Sequence, residues 1–209
     1  NIAQGYGSLY SNTIGKNNAA FGNYALNKNT SGCSNIAIGY LALCGNTYGV
    51  SNIAQGYMAL KCTTSGCDNT GFGRNALYSN TTGSNNTAIG YQTLYCNLGS
   101  NNFAIGCKAL NYNIYGNNNT AIGYGALLCN YNGYGNIAQG CKALYCNRTG
   151  HDNIAQGSFA LYNNTCGGYN TAIGYSTLYN NTKFYLSLFS SVSSSSTIQS
   201  SHNNLPSSI

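Results

Sequence analysis

Acidic side chains are almost absent from this sequence of 209 residues. Asp68 and Asp152 are the only two carboxylate side chains, and charged residues make up 5% of the chain, against about 25% in a typical domain. Acid–base catalysis and metal binding both depend on such groups. His151 precedes Asp152, either as half of a catalytic pair or as a polar corner, and the scarcity of further acids favours the corner. We therefore predict that the protein is not an enzyme and needs no cofactor or metal.

Long apolar runs and clustered cations are also missing. No segment approaches the roughly 20 apolar residues of a membrane span. The eight cations give a net charge of +6, but along the sequence they are scattered, with no run and no stripe. A nucleic-acid binder needs clustered Lys and Arg, so we predict neither a membrane span nor a nucleic-acid partner. Because the chain begins at Asn1 rather than Met, we expect a processed product or a fragment.

A short repeat fills most of the sequence. The motif Asn-x-Ala-x-Gly-x-x-small-Leu begins at residues 1, 18, 35, 52, 69, 86, 102, 119, 136, 153 and 170. The spacing is 17 residues except from Asn86 to Asn102, where it is 16 and indicates a deletion in the loop before Gly99. The repeat predicts eleven units, the last incomplete, and a domain covering residues 1–182.

Several positions are nearly invariant when each unit is numbered from its Asn. Position 1 is always Asn, position 5 always Gly and position 9 always Leu; position 3 is Ala except at Gly71, and position 12 is Asn except at Thr63. A second Gly closes each complete unit. Representative repeat residues are Asn1, Ala3, Gly5, Leu9, Asn86, Ala88, Gly90, Leu94, Asn119, Ala121, Gly123 and Leu127.

The length of the unit predicts an all-β fold. Helical-hairpin repeats need 30 or more residues, whereas Gly at two fixed places suits tight turns with positive φ. Short strands stacked at a fixed period predict a β-solenoid, or parallel β-roll, of eleven coils, with a rod length of about 50 Å. Asn at positions 1 and 12 either stacks into amide ladders or favours the turns at each corner, and both roles are compatible.

The strand positions suggest contact with another chain. Positions 2 and 4 share one face of a strand, and each unit carries at least one large apolar residue there, such as Ile53 or Ile89. Position 3, on the opposite face, is small and apolar. A strand buried on both faces needs a partner beyond its own coil, which favours side-by-side packing of chains. Alternatively, a turn near position 7 breaks the alternation.

Three stretches carry a resemblance to a known family. Asn86–Tyr91, Asn119–Tyr124 and Asn170–Tyr175 all read Asn-Thr-Ala-Ile-Gly-Tyr. They resemble the head repeats of trimeric autotransporter adhesins and the related repeats of fibre proteins from phages and giant viruses. The resemblance implies a left-handed parallel β-roll, a homotrimer and binding to a host-surface glycan or protein. It also implies an extracellular, cell-surface or virion-surface location.

Tyrosine is concentrated at positions 6 and 10 of the unit. Columns of aromatic rings would stack along a solenoid and stabilise it, and they are also the kind of rigid, amphipathic surface that binds glycans or proteins. The candidate binding surface comprises Tyr6, Tyr40, Tyr57, Tyr91, Tyr124 and Tyr175 at position 6, with Tyr78, Tyr95, Tyr145, Tyr162 and Tyr179 at position 10. Tyr10 also occupies position 10.

The ten cysteines show no repeated pairing pattern. Cys129 and Cys146 both occupy position 11 of successive units, so their Cα atoms should lie about 5 Å apart, within disulfide range. We therefore predict a disulfide between them. Cys62 and Cys67 close a corner loop and are a second candidate pair, and the remaining cysteines are either buried thiols or bridges to other chains.

Residues 183–209 break the repeat. We predict that the apolar run Phe184–Phe189 caps the last coil and that the Ser-rich remainder is a disordered linker.

The function that fits best is a structural and adhesive fibre segment, whose repeated polar and aromatic surface attaches to a host cell or matrix. A purely structural extracellular filament is one alternative. An ice-binding solenoid is another, suggested by the Thr13, Thr30, Thr47 and Thr64 column, although the column is lost at Leu98.

Overall fold

The computed structural model describes residues 1–181. They form a parallel β-solenoid of about ten turns, which confirms the predicted fold class. Within this range all regular structure is β-strand. The predicted Ser-rich tail and its cap, Phe184–Phe189, lie outside the described residues.

One three-residue strand begins each coil, and the eleven strands form a single parallel sheet in which successive coils are neighbours. The register is constant, with position 3 of one coil beside position 3 of the next, as for Ala37 and Ala54. The strands are β1 (Ile2–Gln4), β2 (Ala19–Phe21), β3 (Ile36–Ile38), β4 (Ile53–Gln55), β5 (Thr70–Phe72), β6 (Thr87–Ile89), β8 (Phe103–Ile105), β10 (Thr120–Ile122), β11 (Ile137–Gln139), β12 (Ile154–Gln156) and β13 (Thr171–Ile173).

The shortened unit leaves the sheet intact. Thr87 of β6 pairs in register with Phe103 of β8, although 16 residues separate them. A second, two-stranded sheet forms nearby, between β7 (Cys96–Asn97) and β9 (Tyr112–Asn113). The missing residue therefore lies in the loop between Asn97 and Gly99, as predicted, and a solenoid absorbs it there because loops tolerate length changes.

Each coil contains turns in which residues at positions 5 and 9 have positive φ. Position 5 has φ between +121° and +142° wherever it occurs, and a Cβ on Gly73 would lie 2.5 Å from the carbonyl oxygen of Gly90 in the next coil. Only Gly fits a position that combines positive φ with such close approach. Leu at position 9 has φ near +50°, as at Leu94, a conformation uncommon for a side chain of this size.

The interior is narrow and filled by small residues and one Leu per coil. Ala88, Leu94, Ala121 and Leu127 are fully buried, as are the other residues at positions 3, 8 and 9 of the central coils. Leu9 is only partly buried because one neighbouring coil covers it rather than two. Burial of each Leu contributes about 1.5–3 kcal/mol, which offsets the cost of its left-handed backbone, about 1–3 kcal/mol.

Asparagine at position 1 forms a continuous amide ladder, as predicted. Asn119 donates from Nδ2 to Oδ1 of Asn102 at 3.2 Å and to the carbonyl oxygen of Gly133 at 2.8 Å. Its own Oδ1 accepts from both the backbone N–H and Nδ2 of Asn136, at 3.0 and 3.1 Å. Each Asn therefore satisfies a buried backbone amide of the next coil.

Asparagine at position 12 forms a second ladder. Asn130 donates from Nδ2 to Oδ1 of Asn113 at 2.7 Å and to the carbonyl of Gly133 at 2.8 Å. Gly133 thus accepts a bond from each ladder. Its equivalents lack a side chain because a Cβ there would overlap the amide of the position-12 Asn and the backbone of the next coil.

Thr63 interrupts the second ladder. Oδ1 of Asn46 and Oγ1 of Thr63 are both buried and without a hydrogen-bond partner among the described residues. Asn80 retains its bond to the carbonyl of Gly83 at 2.8 Å. A threonine hydroxyl is too short to replace the amide, so the ladder is broken within the fourth coil.

Positions 2 and 4 are exposed or half-buried in every strand of the single chain. In β3, β11 and β12 both positions are exposed and only position 3 is buried. Residues with φ near +55° at position 7, such as Met58, turn the chain so that positions 8 and 9 are not opposite faces of one strand. The turn near position 7 is therefore present, and the packing of a second chain on positions 2 and 4 stays a prediction.

Candidate functional site

The solenoid presents three surfaces, each defined by repeat position. The sheet face consists of positions 2 and 4. The tyrosine face consists of positions 6, 7, 10 and 11, which follow the sheet in every coil, while positions 8 and 9 between them point into the interior. The loop face consists of positions 13 to 17. Because coils stack in constant register, each surface repeats one set of positions along the rod.

Both predicted tyrosine columns lie on the tyrosine face. The position-6 rings are the more open: Tyr91 is 42% exposed and Tyr6, at the end of the rod, 73%. Phe159 at position 7 lies 5.9 Å from Tyr162 at position 10 and 5.9 Å from Tyr175 at position 6, centroid to centroid. These contacts join the two columns into one surface.

Most position-10 rings stack on one another along the rod. Tyr78 and Tyr95 lie 5.0 Å apart with an interplanar angle of 9°, and Tyr162 lies between Tyr145 at 5.0 Å and Tyr179 at 4.8 Å, both nearly parallel. Stacking was predicted, and it is confirmed for these rings. The ring planes therefore face neighbouring rings. Partial burial raises the pKa of Tyr95, Tyr145 and Tyr162 above that of a free phenol.

Cations accompany the rings on the tyrosine face. Lys61 donates from Nζ to the hydroxyl of Tyr78 at 3.2 Å, and this bond raises the pKa of Lys61 above its usual value. Arg74 lies 5.3 Å from the ring centroid of Tyr57. Lys142 lies 5.7 Å from the ring of Tyr145 and is also close to that of Phe159. Such cation–ring contacts are attractive and orient the cation along the ring surface.

The fold segregates charge that is scattered along the sequence. The tyrosine face carries five cations and neither carboxylate; the cations are Lys28, Lys61, Arg74, Lys108 and Lys142. The loop face carries Lys16 and Arg148 together with both carboxylates, Asp68 and Asp152, at position 17. The 17-residue period therefore brings cations that are distant in sequence onto one side of the rod.

All ten cysteines are free thiols in the structure. Cys129 and Cys146 occupy the same position of adjacent coils, and burial raises the pKa of both thiols. Burial also raises the pKa of Cys44 and Cys96. A raised pKa leaves less thiolate at neutral pH and so slows thiol chemistry. The disulfide between Cys129 and Cys146 is not formed here and stays a prediction.

His151 and Asp152 form a polar corner on the loop face. The Nδ1 atom of His151 lies 3.1 Å from Oδ2 of Asp152. The imidazole stacks on Tyr134 at 4.9 Å and meets Tyr169 edge-on at 5.0 Å. In the described part of the chain no three His, Cys, Asp or Glu side chains are grouped to hold a metal ion.

The threonine column of the loop face uses its hydroxyl groups internally. Thr13, Thr30, Thr47 and Thr64 each donate from Oγ1 to a backbone carbonyl of the next coil, at 3.0 to 3.1 Å. The hydroxyl protons are therefore not free to bond an external lattice.

Comparison with family models, with curated proteins and with solved structures finds no match to this chain. Among residues 1–181, no helix is long and apolar enough to cross a membrane.

Proposed function

We propose that this chain is a segment of an extracellular or virion-surface fibre that attaches to a host cell or matrix through many repeated contacts. The observation that carries the proposal is the constant register of the coils, which repeats one surface chemistry about every 4.8 Å along the rod. Weak contacts presented on a rigid array add to strong overall binding. The resemblance of Asn119–Tyr124 and its equivalents to adhesin head repeats supports the same function.

The sheet face supports assembly of the fibre from several chains. Ile137 and Ile154 lie side by side on it and are 45% and 41% exposed. Beside them, Gln156 donates from Nε2 to Oε1 of Gln139 at 3.1 Å. Covering these two apolar side chains is favourable by about 25 cal/mol per Å². The resemblance to trimeric adhesins supplies the number of chains, so we propose a homotrimer packed through this face.

Light scattering of the full chain tests the homotrimer. We expect a mass close to three times the 22.0 kDa chain, with and without reductant. Substitution of Ile137 and Ile154 by Lys should give a monomer. The matched control, Ile14→Lys with Val50→Lys on the loop face, should leave the trimer intact. A monomeric wild-type chain would exclude the trimer.

Binding of the full chain to cultured cells and to a glycan array tests attachment. Tyr124→Ala with Tyr175→Ala should weaken binding at least tenfold, whereas Tyr48→Ala with Tyr115→Ala on the loop face should change it less than twofold. An assembled protein that binds no cell and no glycan would instead support the purely structural filament. Thermal hysteresis in freezing solutions would support the ice-binding alternative.

A further inference from the structure

The charged side chains of the tyrosine face are all positive, whereas the loop face carries charged side chains of both signs. The tyrosine face holds all of the described cations except Lys16 and Arg148, and both carboxylates of the chain, Asp68 and Asp152, lie on the loop face. A surface of one sign attracts ligands of the opposite sign and raises their rate of encounter. The segregation therefore points to a ligand that carries negative charge.

The spacing of these cations suits an extended ligand. Lys28, Lys61, Arg74, Lys108 and Lys142 lie in the second, fourth, fifth, seventh and ninth coils. At about 4.8 Å per coil, neighbouring cations are separated by about 5–10 Å along the rod and together span about 34 Å. A linear polymer with regularly spaced anionic groups can contact several of them at once, whereas a small anion contacts one.

The exposure of the ring planes distinguishes two kinds of anionic polymer, single-stranded nucleic acid and polysaccharide. The stacked rings of Tyr145, Tyr162 and Tyr179 cover each other's planes, and Arg74 lies over Tyr57. A single-stranded nucleic acid binds by stacking its bases on open ring planes, and in the stacked position-10 rings neighbouring rings already cover those planes. Phenol edges, hydroxyl groups and ammonium groups, as in the Lys61–Tyr78 pair, instead offer hydrogen-bond donors to anionic oxygen atoms.

We propose that the tyrosine face binds an anionic polysaccharide, with sulfate or carboxylate groups paired to Lys61, Arg74 and Lys142 and sugar hydroxyl groups bonded to the adjacent tyrosines. The proposal rests on the attachment function above and names its ligand class. It requires that binding be carried by the tyrosine face alone, although the loop face also carries two cations, Lys16 and Arg148.

Biolayer interferometry with the full chain tests this ligand class. The probes are immobilised dextran sulfate, hyaluronan, neutral dextran and a 20-nucleotide thymidine oligonucleotide, at 50 and 150 mM salt. We expect binding to dextran sulfate and weaker binding to hyaluronan, both falling with salt through counterion release. Neutral dextran should not bind, and the oligonucleotide should bind at least tenfold more weakly than dextran sulfate.

Two variants with equal net charge locate the site. Lys61→Gln with Lys142→Gln should weaken binding to dextran sulfate at least tenfold. Lys16→Gln with Arg148→Gln should change it less than twofold. Equal losses in the two variants, equal binding of the oligonucleotide, or binding of neutral dextran would each overturn the proposal. Circular dichroism spectra should show that both variants remain folded.

The outcomes separate this proposal from the attachment function. A chain that binds cells or neutral glycans but no anionic polysaccharide contradicts the ligand class and leaves attachment standing. A chain that binds dextran sulfate through Lys61 and Lys142 but binds no cell supports the ligand class and contradicts attachment to those cells.

Discussion

The two asparagine ladders differ in what they support. At position 1, Oδ1 of Asn119 accepts the backbone N–H of the next coil as well as its side-chain amide. At position 12, Oδ1 of Asn130 accepts only a side-chain amide, from Asn147 at 2.8 Å. The backbone N–H at position 12 bonds within its own coil, as from Thr63 to the carbonyl of Leu60 at 3.2 Å.

The difference explains where the repeat tolerates change. An unpaired buried backbone amide costs about 1–3 kcal/mol, so a substitution at position 1 harms the next coil as well as its own. At position 12 the loss is confined to side chains. Consistent with this, position 1 is Asn in every coil, whereas position 12 accepts Thr63.

Gly133→Ala should lower the stability of the fold most, because the Gly133 carbonyl accepts a hydrogen bond from each ladder. The new Cβ would overlap Oδ1 of Asn130 and lie 2.5 Å from the carbonyl oxygen of Gly150. We expect a loss of more than about 4 kcal/mol in the free energy of unfolding, measured by urea denaturation. The control is Gly125→Asn, because Asn75 occupies the same repeat position with φ of +58°. Equal stability of the two variants would contradict the shared role of the Gly133 carbonyl.

Asn119→Ala and Asn130→Ala compare the ladders directly within one coil. Both remove a bond to Gly133, but only Asn119→Ala leaves the backbone N–H of Asn136 without its acceptor. We expect Asn119→Ala to cost about 2 kcal/mol more in the free energy of unfolding. A smaller loss for Asn119→Ala than for Asn130→Ala would reverse the ranking of the ladders.

Thr63→Asn should repair the broken ladder. The new amide can donate to Oδ1 of Asn46, which now lacks a partner, and can accept from Asn80 as the other coils do. We expect a gain of about 1–2 kcal/mol in stability to urea. Ser65→Asn, on the exposed loop nearby, is the control and should change stability by less than about 0.5 kcal/mol.

Raising the pH should lower the folding stability through the cysteines and tyrosines of the tyrosine face, and should leave the amide ladders unaffected. This is the smallest of the expected changes. Burial raises the pKa of Cys96, Cys129, Cys146 and Tyr145 in the folded chain. These groups then hold protons that the unfolded chain releases, so stability should fall as pH rises above about 8.5. A melting temperature that falls by a few degrees between pH 7 and 10 would agree with this.

The amide ladders provide the internal reference for that measurement. Asparagine does not titrate, so the gain from Thr63→Asn should be the same at pH 7 and pH 10. Cys129→Ser with Cys146→Ser should remove part of the alkaline loss. A melting temperature that rises with pH would contradict the direction of the pKa shifts.

The sequence predicts local structure correctly at positions where the residue type suits only one backbone conformation or one bonding pattern. Gly at position 5 predicted a positive-φ turn, and Asn at position 12 predicted a ladder; both are confirmed at Gly73 and Asn130. For the sheet face the sequence predicts a covering chain, which stays a prediction because Ile137 is exposed in the single chain. Sequence reasoning missed the cationic surface, since Lys61 and Lys142 are far apart in sequence. Measuring the repeat position of each cation would have revealed it.

The sequence by itself determined the period, the parallel stack and the residues that point inward, because a 17-residue repeat with fixed Gly, Ala, Leu and Asn fits only a narrow coil. Only the tertiary structure decided that one glycine carbonyl joins both ladders, that Thr63 leaves two polar atoms unpaired, and that Lys61 and Lys142 contact tyrosine rings. These features depend on which atoms of different coils come within hydrogen-bonding distance. Stacking in register sets those distances.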